Sequence, residues 1–206
     1  MTELTDFQEK IAALLPDVEL KFDEPLAKHT SLRIGGGAEV MAFPQNAEEL
    51  AEILKVSVLL DGSFAILGAG TNVLAPDEGV RGLVVCLKDC LEGIEPLPGN
   101  RLRVMAGVTM SRAAVAAANL GLSGLEFAHG IPGTVGGGVY MNAGAYGGEI
   151  CQVCSRVEVM SRQGQRRVLT AEEMGFSYRH SVLEETGDIV LSAEFALTPA
   201  EPEIIR

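Results

Sequence analysis

The 206-residue sequence predicts an α+β fold in two lobes. Three observations carry this expectation. Strand and helix periodicities alternate along the chain, a strand–helix–strand unit in the first half is followed by a second set containing a hairpin, and the Pro- and Gly-rich stretch "LEGIEPLPGN" at 91–100 lies between them.

Taken in order, "TDFQEKIAALLPD" reads as a short amphipathic helix with Ile11, Leu14 and Leu15 on one side, closed by Pro16. "AEVMAFP" reads as a strand. "NAEELAEILKVSVLL" is a helix with Asn46 as N-cap, Glu48 and Glu49 in its first turn and Asp61-Gly62 at its end. "SFAILGAG" is a strand running into a glycine turn, and "GLVVCL" a further strand. The second set opens with the strand "RLRVMAG". "TMSRAAVAAANLG" is a helix capped by Thr109 and stopped by Gly121. "RVEVMSR" and "QRRVLT", joined at Gln163-Gly164, make a hairpin, and "TAEEM" is a capping box of Thr170 with Glu173. "DIVLSAEFALT" is a long strand. "TPAEPEIIR" reads as a helix start, with Thr198 as cap and Pro199 at its first position. The expected division is 1–28 as a helix and lead-in, 29–90 as the first lobe, 91–198 as the second, and 199–206 as the start of a cut linker helix.

The formal net charge of −12 argues against nucleic acid and anionic membrane as partners, because phosphate backbones are held by basic patches. No apolar run reaches the roughly 18 residues that a membrane span needs. The N-terminus carries acids and lacks a basic region before an apolar one, so it does not read as a secretory signal, and a cytoplasmic location is expected. Cys86, Cys90, Cys151 and Cys154 have no histidine close in sequence. They read as reduced thiols of strands and loops, with no metal site.

The unusual feature is "GIPGTVGGGVYMNAGAYG", running from Gly130 to Gly147, in which seven of eighteen residues are glycine and none is charged. Such a run persists where the backbone takes positive φ or approaches something closely. A second loop, "LGAGTNVLAPDEG", follows a strand and offers backbone N–H groups from Gly68 to Asn72. Neither loop has the Gly-Lys-Ser/Thr of a Walker A loop. Neither completes a Rossmann fingerprint, since Val73 stands where the third glycine belongs. Between Met105 and Ile150 the only formal charges are Arg112, Glu126 and Glu149, so an anionic ligand there must be held by backbone N–H groups. Close packing of the lobes is the competing explanation of these glycines. Two such loops, one per lobe, favour a shared diphosphate ligand.

"HTSLRIGGGAEV", "LGAGTNVL", "GLEFAHGIPGTVGGGVYMNAGAYGGEI" and "FSYRHS" resemble, in order and spacing, the UDP-N-acetylenolpyruvoylglucosamine reductase family, from about His29 to the C-terminus. The resemblance implies a two-lobed FAD-binding domain of the vanillyl-alcohol oxidase-like kind with FAD held noncovalently between the lobes. It implies NADPH as cosubstrate and a nucleotide-sugar substrate, UDP-N-acetylglucosamine enolpyruvate, reduced to UDP-N-acetylmuramate for peptidoglycan. It places Gly68, Ala69, Gly70, Thr71 and Asn72 at the FAD diphosphate, and Ile131, Pro132, Gly133, Thr134, Gly137, Ala143, Gly144 and Tyr146 at the flavin. Arg179 matches the catalytic arginine, and Tyr178 beside it becomes a substrate-contact candidate. His129, directly before the glycine motif, is expected to line the site rather than to attach flavin covalently.

The sequence departs from the family in two respects. The serine proton donor of a "GSxFKNP"-like motif and a glutamate near the family's C-terminus have no counterpart; Ser181 and Ser192 have the wrong neighbours. The chain is therefore expected to be the FAD-binding portion, inactive alone. Another oxidoreductase of the same fold and a noncatalytic FAD-binding module are the alternatives, and oligomeric state stays open.

Overall fold

The computed structural model describes residues 4–201, and the chain divides into two units, Met1–Cys90 with Arg162–Gln165, and Leu91–Ser161 with Arg166–Arg206.

The first unit begins at a capping box. Thr5 Oγ1 accepts from the Gln8 N–H (3.2 Å) and Gln8 Oε1 from the Thr5 N–H (2.9 Å), starting α1 (Asp6–Leu14). Gln8, Ile11 and Leu15 form its buried stripe, while Leu14, expected inward, is 43% exposed. At 100° per residue it falls about 90° off that stripe, and Gln8, whose amide donates to Glu39 O (2.9 Å), takes the inward place. Strand β1 (Glu19–Pro25) runs antiparallel to β2 (Gly37–Phe43). Residues 1–28 are thus not a separate lead-in, because β1 is an edge strand of this unit's sheet. Its alternation of Leu20 and Phe22 is masked in the sequence by Lys21, Asp23 and Glu24.

Helix α2 (Ala47–Leu59) starts where Asn46 accepts from the Glu49 N–H (2.9 Å), and buries Leu50, Ile53 and Leu54. Strands β3 (Phe64–Leu67) and β4 (Val80–Cys86) complete a sheet of order β1-β2-β4-β3, with β4 parallel to both neighbours. The β2–α2–β3 connection is the crossover that parallel strands require. Leu26, Met41, Leu67, Val84 and Cys86 pack together in its core.

The second unit opens with a strand that the sequence reading did not name. The stretch 91–100, expected as the seam between the lobes, contains β5 (Ile94–Leu97), which pairs antiparallel with β6 (Arg101–Met105) around a turn where Gly99 and Asn100 take positive φ. Helix α3 (Met110–Asn119) is capped by Thr109 and ends before Gly121 at φ +69°. Then follow β7 (Leu122–Ser123), α4 (Val135–Tyr140), β8 (Gly144–Ala145), β9 (Gly148–Glu149), β10 (Cys154–Met160), β11 (Arg166–Thr170), α5 (Leu183–Thr186), β12 (Ile189–Ala196) and β13 (Thr198–Pro199). Five strands form an antiparallel sheet of order β11-β10-β12-β6-β5, cored by Leu102, Val104, Val157, Val159, Ala193 and Phe195. The expected β10–β11 hairpin is present. The Thr170–Glu173 box also forms, though it caps a turn rather than a helix. Thr198 and Pro199 do not start a helix: they pair with Ser123 and Leu122, and the Ala200 N–H donates to Gly121 O (3.0 Å). A partner strand distant in sequence overrides the local helix signal. The rest of the expected linker helix, beyond Glu201, lies outside the described residues.

Candidate cofactor-binding site

In the first unit, Gly68–Asn72 follow β3 as a turn packed on the preceding loop. Gly70 sits at φ +63°, and a Cβ there would lie 2.1 Å from His29 O, while its own carbonyl accepts from the Ser31 N–H (3.0 Å). Gly70 is therefore glycine to let two loops touch. Gly35 against Ala75 and the Gly36 N–H donating to Pro76 O (2.9 Å) extend the same contact. His29 is held from behind: its Nε2 lies 3.0 Å from Glu24 Oε1, a contact that holds the Glu24 carboxyl below the usual glutamate range. Gly68, Ala69 and Thr71 are half-buried and Asn72 is exposed. On these adjoining loops Leu32, Ile34, Val73 and Leu74 are exposed, by 73% at Leu74, an apolar fringe suited to a covering organic ligand.

In the second unit the glycine stretch forms a helix, which its composition does not predict. "VGGGVY" would not be helical alone, since isolated helices this short are unstable and glycine disfavours them. Here α4 is pinned at its start. The Val135 N–H donates to Val108 O (2.8 Å), the Gly136 N–H to Ala106 O (2.9 Å), and the Met110 N–H to Gly133 O (3.0 Å). Thr134, buried, caps it by accepting from the Gly137 N–H (3.4 Å).

The three helical glycines have different reasons. A Cβ at Gly136 would lie 3.0 Å from Ala106 Cβ, and one at Gly138 would lie 2.7 Å from Met110 Sδ, so both permit packing. Among the described residues outside its own helix backbone, a Cβ at Gly137 meets nothing nearer than Thr134 Oγ1 at 3.8 Å, so no packing contact there explains this exposed helical glycine. Gly133, at φ +121°, has a backbone conformation that side chains resist.

After α4, Ala143 is fixed by two backbone bonds, its N–H to Gly138 O (2.8 Å) and its carbonyl from the Ile150 N–H (3.0 Å). Strands β8 and β9 make a hairpin whose two turn residues, Tyr146 (φ +54°) and Gly147 (φ +85°), both lie in the left-handed region. That is the geometry of a type I′ turn, which normally takes Asn or Gly, yet Tyr146 stands there 95% exposed. It borders an open depression with Gly124, Phe127 and Gln152. Ile131 is half-buried, and Pro132 and His129 are exposed.

Arg179 joins this stretch. Its Nη2 donates to Gly144 O (2.7 Å) and its Nη1 to Asn142 O (3.4 Å). The backbone is left-handed, φ +54°, in the tight turn Ser177–His180, whose ends exchange two N–H···O bonds (3.1 and 3.2 Å). Tyr178 is 81% exposed, with the guanidinium carbon 5.4 Å from its ring centre. Ser181 donates to Tyr140 O (2.7 Å) and Ser192 to Glu158 Oε2 (3.2 Å), so both hydroxyls are committed to structure. Sequence reading missed Asn142, whose only signal was an Asn inside the glycine run.

The four thiols are unbridged, and burial pushes that of Cys154 up to about 12. Among the described residues no group of three His, Cys, Asp or Glu side chains is placed to hold a metal, and no helix is long and apolar enough to cross a membrane.

A family model described as "FAD binding domain" matches residues 38–170, which takes in the loop after β3 and the whole glycine stretch 130–147. The chain belongs to this family of FAD-binding domains. The open side of Gly137 and the uncharged stretch around it fit such a cofactor. The domain is similar to the UDP-N-acetylenolpyruvoylglucosamine reductase of Lactobacillus acidophilus, 45% identical over 182 residues, covering 88% of this chain and 60% of that one. It is similar to the solved UDP-N-acetylenolpyruvylglucosamine reductase of Thermus caldophilus, with TM-score 0.72, 34% identity, and coverage of 91% of this chain and 65% of that one. A glucooligosaccharide oxidase of Acremonium strictum shares the fold at 15% identity, TM-score 0.65, over 91% of this chain and 42% of that one. The fold is thus the α+β FAD-binding domain of the vanillyl-alcohol oxidase-like kind. The FAD-binding domain spans about 60% of the length of the curated relatives it matches.

Proposed function

We propose that this chain is the FAD-binding portion of a UDP-N-acetylenolpyruvoylglucosamine reductase, working in the cytoplasm with NADPH as cosubstrate. The nucleotide-sugar substrate is UDP-N-acetylglucosamine enolpyruvate and the product serves peptidoglycan synthesis. The observation that carries the reading is Arg179, a cation fastened to the Gly144 and Asn142 carbonyls at an otherwise uncharged glycine stretch.

In this reading Gly68, Ala69, Gly70, Thr71 and Asn72 hold the diphosphate of noncovalent FAD. Ile131, Pro132, Gly133, Thr134, Gly137, Ala143, Gly144 and Tyr146 line the flavin, and Tyr178 touches substrate. When bound, FAD supplies hydride transfer. Hydride arriving at C3 of the enolpyruvyl group leaves negative charge over C2 and the carboxylate. Arg179 spends one hydrogen of each Nη on a carbonyl, and its remaining donors suit that carboxylate. A proton at C2 completes the reduction. Ser181 and Ser192 do not deliver it, since their hydroxyls donate to Tyr140 O and Glu158. That commitment favours the second reading, a noncatalytic FAD-binding module.

The test is a chimera in which this chain is continued by the part of the Lactobacillus acidophilus relative that it does not match. The 206-residue chain should take up FAD yet show no substrate-dependent NADPH oxidation. The chimera should show it, and Arg179→Ala should lower its kcat about 10²–10³-fold, as expected for losing a donor aimed at transition-state charge. A folded, FAD-loaded chimera that is silent sinks the reductase reading and leaves the binding module.

A further inference from the structure

We propose that Asn142 is the positioning residue of Arg179, holding the turn that carries it through a buried amide and its guanidinium through a backbone carbonyl; the inference rests on the reading of Arg179 just given. The turn that carries Arg179 is closed by two backbone bonds between Ser177 and His180, which do not reach the two residues at its tip. Tyr178 and Arg179 are exposed, and Arg179 keeps a left-handed backbone that a non-glycine residue adopts only when its surroundings impose it.

Asn142 is the imposing group. It is 1% exposed. Its Nδ2 donates to Ser177 O (2.9 Å) and to Glu149 Oε2 (3.1 Å), and its Oδ1 accepts from the Cys151 N–H (2.9 Å). Two acceptors on one side and one donor on the other fix which way the amide points. Its own carbonyl accepts from Arg179 Nη1, and two residues on, Gly144 O accepts from Nη2. A closed circuit results: the Asn142 amide holds the first residue of the turn, the turn projects Arg179, and the guanidinium returns to the Asn142 backbone. The guanidinium cannot swing without breaking that circuit.

The residue type follows. Asn tolerates the left-handed φ of +41° found here. Aspartate would keep the acceptor for Cys151 but would lose both donors and set a carboxylate against Glu149. Leucine would leave the Cys151 N–H and two acceptors without this partner.

The experiment uses the 206-residue chain with Asn142→Asp, Asn142→Asp/Glu149→Gln and Asn142→Gly. Amide exchange at Ser177 and His180 and the Nε–H signal of Arg179 in ¹⁵N spectra are followed beside the melting temperature. Asn142→Asp should speed both amides about tenfold, the typical worth of one intramolecular hydrogen bond, and average the Arg179 signal. The added Glu149→Gln removes the carboxylate repulsion, so the melting temperature should recover while the amides stay fast and Arg179 stays averaged. If the second change restores Arg179 together with the melting temperature, Asn142 serves stability alone and the proposal falls. Asn142→Gly tolerates the backbone conformation and covers the case in which the aspartate variant does not fold; an unchanged Arg179 signal there also overturns the proposal. These readouts need no turnover, so they judge Asn142 whatever the chimera says of Arg179. In the chimera, Asn142→Asp should lower kcat with KM held and add nothing once Arg179 is alanine; additive losses overturn the proposal.

Discussion

Gly137 offers a substitution whose effects on folding and on cofactor binding should have opposite signs. A Cβ there finds open space, with Thr134 Oγ1 at 3.8 Å. Replacing glycine by alanine inside a helix stabilises by about 0.5–1 kcal/mol. For a chain of this size that is a rise of about 1–4 °C in the melting temperature of the cofactor-free protein. If FAD occupies the open side, the same methyl group overpacks the complex at a cost of about 1–3 kcal/mol, which is roughly a 5- to 150-fold weaker Kd. Gly136→Ala is the matched control one residue away. Its Cβ would lie 3.0 Å from Ala106 Cβ and 3.2 Å from Ala106 O, the carbonyl that accepts the Gly136 N–H. That variant should melt several degrees lower while binding FAD normally per folded molecule. Differential scanning fluorimetry of the cofactor-free chain and titration with FAD followed by flavin fluorescence give both quantities. A Gly137→Ala chain that binds FAD as the wild type does, or two variants whose FAD losses track their stability losses, would falsify the assignment of this face to the cofactor. Gly133 is unsuited to the test, because at φ +121° any side chain strains the backbone before it reaches a ligand.

Two further predictions concern titratable groups. The Glu24 carboxyl is held below its ordinary value of 4.5, chiefly by its hydrogen bond with His29, with the nearby Lys28 also favouring the charged form. Its contribution to stability is therefore present above that value and is lost as pH falls through the lowered folded one. Glu24→Gln should flatten the acid limb of a melting-temperature profile below pH 4.5, and an unchanged acid limb would show that the pair is inert. Cys154, with its thiol pushed up to about 12 by burial, should resist iodoacetamide at pH 8 in the folded chain, whereas the exposed Cys151 is alkylated. Equal labelling of the two by mass spectrometry would contradict the burial of Cys154.

Much of the fold was legible because local chemistry and final structure agree. Asn46, Thr109 and Gly121 bound their helices in the structure as the cap signals predict. β1 is a charged edge strand whose alternation is visible only once β2 is beside it, β5 is a Pro-bearing strand flanked by glycines at the seam of the lobes, and Thr198-Pro199 pair with a strand distant in sequence. For β1 and Thr198-Pro199 the deciding partner lies outside any local window, and the local preference is too weak to resist it; β5 pairs just across a turn, and its Pro96 hides it.

The candidate site was legible in a different sense. Counting glycines located the stretch, but a count treats Gly136, Gly137 and Gly138 alike. Only the packed structure shows that the outer two face Ala106 and Met110 and the middle one faces open space. Gly70 is the opposite lesson: it lies in a loop of the kind that cradles phosphates, yet its hydrogen-for-Cβ requirement is already explained by His29 O at 2.1 Å. Asn142 was invisible for a third reason. Its partners are the Ser177 carbonyl, the Cys151 amide and Glu149, so its role depends on backbone groups, which every residue but proline carries and which no sequence pattern marks. A site built largely from backbone atoms therefore announces itself through what its residues lack, charge and side chain. Assigning each glycine to packing, to conformation or to a ligand needs the distances around it.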